Sequence, residues 1–415
     1  MKSRSDNRNS PLFLLMVNMF IAMLGIGLII PVLPEFLKEF NAGGQTAGYL
    51  VAAFGLTQFI FSPIGGEWSD KYGRKKLIIA GLALFSISNL LFAIASHVWL
   101  LYFARLLGGI GAAAMIPSMM AYVADTTTEE KRGKGMGLLG AAMSLGFVIG
   151  PGIGGFLAEL GLRAPFYVSA CVGALAMLSS LAFLPESLPK EKQLENRNIQ
   201  VAKESLFRQF ARSFKAPYFV LLILVFTLTF GLANFEAIFP LFVDHKYGFS
   251  AREISILITC GALAGVVIQA LLIDKLIKRF GEKTLINLTF ILSAIALVGM
   301  LLSGQFWYVM LVTLFFFTFT SIMRPAINTL LSKMAGEEQG FVAGMNNAYM
   351  SLGNIFGPAL AGILFDTHVN FPYMFGALIL VGSLALSLTW NRRNRSAVAA
   401  TVSGAPANVP NSTNS

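Results

Sequence analysis

Between Pro11 and Asn391 the chain consists of apolar runs of about twenty residues joined by short polar stretches, and a helix of that length crosses the hydrocarbon core of a bilayer. The runs lie near 12–34, 46–66, 77–96, 100–124, 135–159, 164–184, 217–243, 253–273, 284–303, 306–330, 341–365 and 371–391. They predict an all-α membrane protein with twelve spans, six in each half. Charged residues make up only 13% of the chain, against about 25% in soluble domains, which excludes a soluble globular protein. The first run is too long for a removable signal peptide and lacks its small-residue cleavage pattern, so the first span is expected to stay.

These runs divide the chain into an N-terminal tail (1–11), a six-helix bundle (12–184), a linker (185–216), a second six-helix bundle (217–391) and a polar tail (392–415) expected to be disordered. The linker carries "PESLPKEKQLENRNIQ" and an amphipathic end at "SLFRQFARSF". A net charge of +10 could suggest nucleic acid, but its distribution has another cause. Of the 31 Lys and Arg, twenty-five fall in the tails, the linker and alternate loops of one side, four fall on the other side, and two lie inside spans. That asymmetry predicts both termini and the linker in the cytoplasm of a cell membrane, with no nucleic-acid partner. Cys171 and Cys260 sit in apolar runs and read as small buried hydrophobes.

The chain also repeats itself. "MSLGFVIGPGIGGFLAE" (143–159) returns as "MSLGNIFGPALAGILFD" (350–366), with Met-Ser-Leu-Gly, Gly-Pro and a later Gly all displaced by half the chain. Gly146, Gly150 and Gly154 recur every four residues, which gives a smooth helix face for close packing, and Pro151 removes a backbone hydrogen bond and bends the helix. Together with Gly155 they form G-x-x-x-G-P-x-x-G-G within the fifth span.

That pattern resembles the antiporter motif of twelve-span drug/proton exporters in the major facilitator superfamily. "GEWSDKYGRKK" (66–76), "RLLGGIGAAAMIP" (105–117) and "LGIGLIIPVLP" (24–34) are similar to the superfamily's loop, fourth-span and first-span motifs in the same order. Within it, "FGLANFEAIFPLFVDHKYGF" and "AGEEQGFVAGMNNAYMSLGNIFGPALAGILFD" look like the Bmr/Blt/NorA group of bacterial multidrug efflux pumps. The resemblance covers about residues 11 to 391. It implies two pseudo-symmetric six-helix bundles that rock about a site near the bilayer midplane. It implies that Gly66 and Gly73 allow tight packing and a turn in the loop motif. Asp70 would sit near the N-terminus of the eleventh span, and Arg74 would meet an acid at the end of the fourth, here Asp125. The second half has Lys278 where the Asp would be, so this latch is expected on one half only.

Ionisable groups inside spans are costly, about 2.5–3.5 kcal/mol at a helix centre, and mark function. Glu236 is the one acid of 21 well inside a span, and Arg105 and Arg324 are the cations there. Glu236 and Arg105 lie towards the outer boundary and Arg324 towards the inner one. In the resembled fold, spans four, seven and ten line the central cavity, so all three are candidates for proton coupling. An adaptable wall is expected from Phe147, Phe317 and Met143, with Gln58, Asn346 and Asn354 as polar handles beside Glu236. Phe147 and Phe317 match pocket positions of the resembled pumps, whereas Ser321 stands where that group usually carries an Asp.

Other classes fare worse. The three His fall at external loops, and no metal spacing, phosphate loop or nucleophile–base pair occurs, so neither an enzyme, a metal nor a cofactor is expected. A receptor would be expected to carry a large soluble extension. The expected function is proton-coupled export of amphiphilic, often cationic or aromatic drugs by a monomer among membrane lipids. Because a fold does not settle direction, proton-coupled uptake or lipid/metabolite transport is the alternative.

Overall fold

The computed structural model describes residues 9–198 and 206–402, which form helices and, among the described residues, no strand. The first half comprises α1 (Asn9–Ile29), the short α2 (Leu33–Lys38), α3 (Gly44–Tyr72), α4 (Arg74–Ala93), α5 (Val98–Thr126), α6 (Glu129–Ala158) and α7 (Ala164–Phe183). Two short helices, α8 (Lys190–Asn198) and α9 (Leu206–Ser213), lead into the second half. That half comprises α10 (Phe219–Tyr247), α11 (Ala251–Leu271), the short α12 (Ile273–Phe280), α13 (Glu282–Gly299), α14 (Phe306–Ala335), α15 (Gln339–Thr367) and α16 (Phe371–Val402). Among the described residues, twelve helices are long and apolar enough to cross a membrane.

Local chemistry explains where the helices depart from the apolar runs. The first run was expected to continue to residue 34, but α1 stops at Ile29 because Pro31 and Pro34 remove donors and disfavour helix just before them. The second span continues past residue 66 to Tyr72, so the loop motif is largely helical. It ends at Gly73, whose φ of 104° a side chain would resist. The last helix runs on to Val402, past the boundary at Asn391 after which a disordered tail was expected. Residues 403–415, 199–205 and 1–8, from the expected tails and linker, lie outside the described residues. Cys171 is exposed on the outer face of α7, and Cys260 is half-buried, so neither is the buried hydrophobe expected. The apolar character of a lipid-facing position is the same as that of a core position, and hydropathy cannot separate them.

The two halves pack by the same scheme. In the first, α1 lies on α6, α3 on α5 and α4 on α7; in the second, the corresponding α10 lies on α15, α11 on α14 and α13 on α16. Across the centre α3 meets α15 and α6 meets α11. With twelve candidate spans among the described residues, the start of α1 and the end of α16 lie on one face, called here the terminal face, opposite a far face.

On the far face the halves are tied together. Lys38 Nζ lies 2.8 Å from Asp244 Oδ2, and Arg252 Nη1 lies 3.4 Å from Glu159 Oε1. The separation between α3 and α15 can be followed along one stripe of glycines, since eleven residues make close to three whole helical turns. A Cβ added at Gly44 would lie 2.5 Å from Phe365, one at Gly55 would lie 3.5 Å from Ile355, and one at Gly66 would meet nothing within 4 Å. The helices therefore touch at the far face and diverge towards the terminal face. This is an arrangement open on the terminal side.

The linker docks on both halves. Arg197 Nε donates to the Lys71 carbonyl of the first half, while Tyr218, at the foot of α10, and Arg212 on α9 both donate to Glu338 at the foot of α15. These bonds, Tyr218 first, hold the Glu338 carboxyl below the usual carboxylate range. Burial first, and then the bond to Glu338, push the Tyr218 phenol up to about 12.

Candidate functional site

Two cavities lie between the halves near mid-depth. The first, about 380 Å³ and nearer the terminal face, is lined by Met143 and Phe147 on α6, Glu236 on α10, Phe317, Ser321 and Arg324 on α14, and Asn354 on α15. The second, about 250 Å³ and nearer the far face, is lined by Gln58 on α3, Arg105 on α5, Phe147, Glu236 and Asn354. Phe147, Glu236 and Asn354 belong to both. They stand where one compartment passes into the other.

The helical period puts Glu236 there. Its neighbours Phe235 and Ala237 turn into the packed core of the second half, and Phe235 stacks against Phe239 at 4.8 Å and meets Phe317 edge-on at 5.8 Å. Glu236 is half-buried at the cavity wall. An isolated carboxylate away from water is expensive unless it is paired or protonated, so this position favours a group that changes state during a cycle.

The two cations differ in their surroundings. Arg324 is exposed and lines the first cavity together with Glu236. Arg105 stacks its guanidinium over the Phe92 ring at 4.7 Å, and its buried Nε has no hydrogen-bond partner among the described residues. Each cavity thus sets one cation beside the shared carboxylate, Arg324 in the first and Arg105 in the second.

Asn346 lines neither cavity. It lies about two turns along α15 from Asn354 towards the terminal face, and its Nδ2 points to the Met350 sulfur at 3.7 Å. Ser321 lines the first cavity but turns its hydroxyl to the Thr318 carbonyl of its own helix, 2.8 Å away. Sequence reasoning overlooked Phe54, Gln269 and Thr320, which also line the cavities. Gln269 could have been found: apart from Thr259 it is the one strongly polar side chain between Ser255 and Asp274.

The loop-motif residues gather at the terminal ends of α3, α4 and α5. Arg74 reaches Asp70 Oδ1 at 2.5 Å and Asp125 Oδ2 at 3.0 Å, while Glu186 of the linker accepts from the backbone N–H of Arg74 at 2.8 Å. Asp70 is thus held on its own turn by Arg74. The start of α15, near which Asp70 was expected, is met instead by Arg212 and Tyr218 at Glu338, and Arg212 also stacks over Phe341 at 4.4 Å.

The glycine-rich stretch divides its work between two faces. A Cβ at Gly146, Gly150 or Gly154 would lie 2.4, 2.7 or 2.2 Å from the carbonyls of Phe20, Leu24 and Leu28, successive turns of α1 in the same half. Buried Pro151 abuts Gly27 of α1, whose added Cβ would lie 2.8 Å from its Cδ. Gly155 faces the other way, towards Ser255 of α11, whose Oγ would be 2.3 Å from an added Cβ. The four-residue stripe, expected to give a smooth face for close packing, locks α1 to α6 within one half. Contact across the halves falls to Gly155 and to Gly152, whose added Cβ would lie 3.1 Å from Thr259 Oγ1 on α11.

The sequence matches the profile of the Major Facilitator Superfamily over residues 15–245 and 221–411. It is 46% identical over 403 residues to multidrug resistance protein 2 of Bacillus subtilis (strain 168), covering 96% of this chain and 100% of that protein. It is 37% identical over 376 residues to the quinolone resistance protein NorA of Staphylococcus aureus (strain COL), covering 90% of this chain and 95% of that one. Among solved structures, the nucleoside transporter NupG superposes with a TM-score of 0.74 at 14% identity, covering 92% of this chain and 98% of that one.

Proposed function

Because the chain belongs to the Major Facilitator Superfamily, we propose that it exports amphiphilic drugs, cationic and aromatic ones among them, in exchange for protons entering the cell. Glu236 carries the reading. It is the one carboxylate lining either cavity among the described residues, it belongs to both, and Met and Phe side chains surround it. Open to the terminal side, the ionised carboxylate would receive a cation; open to the far side, protonation would discharge it. The apolar wall accounts for breadth, because Met143, Phe147 and Phe317 offer contact area without fixed hydrogen-bond geometry. The cycle needs no nucleotide.

A drug-susceptibility panel in a pump-deficient bacterial host tests the function. Expression should raise resistance to several unrelated cationic drugs at least fourfold, and a protonophore should abolish the gain. Resistance that survives collapse of the proton gradient would remove proton coupling, and accumulation of a fluorescent dye by energised cells would reverse the direction.

The membrane orientation follows from the charge asymmetry, with the terminal face in the cytoplasm of a bacterial cell. In a cysteine-free background, Asn196→Cys and Ser403→Cys should each react with an impermeant maleimide only after the cells are permeabilised. Reaction of both in intact cells would invert the topology.

A further inference from the structure

The acids that end the duplicated stretch, Glu159 and Asp366, both reach the opposite half at the far face, but they meet different partners. Helix α11 caps itself: the Ser250 hydroxyl accepts from the Glu253 N–H while Glu253 accepts from the Ser250 N–H at 2.9 Å, a reciprocal capping box. Its first turn needs nothing more, and Glu159 is left with the exposed Arg252 at 3.4 Å. Helix α3 has Gly43 at its N-cap and no side-chain cap of its own. Its free donors are satisfied from the other half. Asp366 accepts from the Gly44 N–H at 2.7 Å through Oδ1 and from the Gln45 N–H at 2.9 Å through Oδ2.

We propose that Asp366 is a cap in trans, a positioning residue that holds the far face shut and so favours the state open to the terminal side. A carboxylate at a helix N-terminus gains both the hydrogen bonds and the positive end of the helix dipole. Those gains exist only while the end of α15 touches the start of α3. When the halves part at the far face, the donors of α3 and the carboxylate must both turn to water. Gly43 is part of the device, since a Cβ there would lie 2.7 Å from Asp366 Oδ1. Its φ of −101° suits any residue, so space rather than conformation keeps it glycine. Glu159 acts far more weakly, because an exposed ion pair contributes little.

The inference uses the transport reading only to give the states a purpose; its test needs no substrate. Spin labels at Leu160→Cys and Leu302→Cys, exposed far-face positions on opposite halves, report the width of that face by electron–electron double resonance in lipid nanodiscs. Asp366→Asn keeps the size of the side chain and removes the charge, and should raise the ratio of wide to narrow populations about fivefold. Gly43→Ala should widen the face in the same direction by displacing the carboxylate, and it keeps the proposal testable if Asp366→Asn folds poorly. Glu159→Gln should change the ratio less than twofold. A distance distribution unchanged in Gly43→Ala, or an equal response to Glu159→Gln, overturns the assignment. Lack of drug export with the expected distances would instead count against the proposed function alone.

Discussion

Glu236→Gln should lose proton-driven efflux while still binding drug. Glutamine keeps the size and polarity of the side chain but cannot carry a proton between the two sides. In energised cells, export of a cationic dye should therefore fall at least tenfold, to the level of cells without the protein. Binding to the purified variant should weaken about tenfold for a monocation, roughly 1.4 kcal/mol, because one charge-assisted contact is lost. A neutral substrate should bind as before. Arg324 lines the first cavity and Arg105 the second, so removing the carboxylate they share leaves each cavity with a cation and no anion. Ser321→Asp places a carboxylate in the first cavity one turn before Arg324 and should strengthen export of cations. Wild-type efflux by Glu236→Gln under an inward proton gradient would move coupling to another residue.

What the sequence made legible follows from which physical signal each feature leaves. The spans and the pairing of the halves were readable because lipid imposes a run length and gene duplication copied it. Glu236 stood out because an acid in the middle of a 29-residue apolar helix has few reasons to be there, whereas Asp244 of the same helix lies near its far end. Features that depend on which way a helix turns left no such trace. Arg324 and Arg105 fall into separate cavities that share Glu236, and Asn346 lies two turns away from the lining that Asn354 reaches on the same helix. The break after Ile29 and the helical course of the loop motif are local matters that hydropathy blurs, although Pro31, Pro34 and Gly73 announce them. The cap that Asp366 gives to α3 joins residues 322 apart, and it becomes visible only once two helices from different halves lie side by side.

Gly150→Leu should cost the protein both its fold and its transport, because the added side chain meets backbone rather than movable side chains. A Cβ alone would lie 2.7 Å from the Leu24 carbonyl oxygen and 2.8 Å from the Gly27 Cα. Neither atom can rotate away, so α1 must separate from α6. The strain spreads, since Gly146 and Gly154 hold the turns above and below equally close to the same helix. Overpacking costs about 1–3 kcal/mol in soluble cores, and a backbone contact on three consecutive turns belongs at the upper end. The thermal midpoint of the purified protein should fall by about 5 °C or more, the folded yield should drop, and resistance should disappear. Gly155→Ala makes the contrast, because its Cβ enters the contact with Ser255 across the halves and leaves α1 untouched. That variant should keep its thermal midpoint within about 2 °C yet export more slowly, since the far face can no longer close fully. If Gly150→Leu kept its midpoint and lost only export, the four-residue stripe would serve the rocking motion after all, and the division between the two faces of α6 would fall.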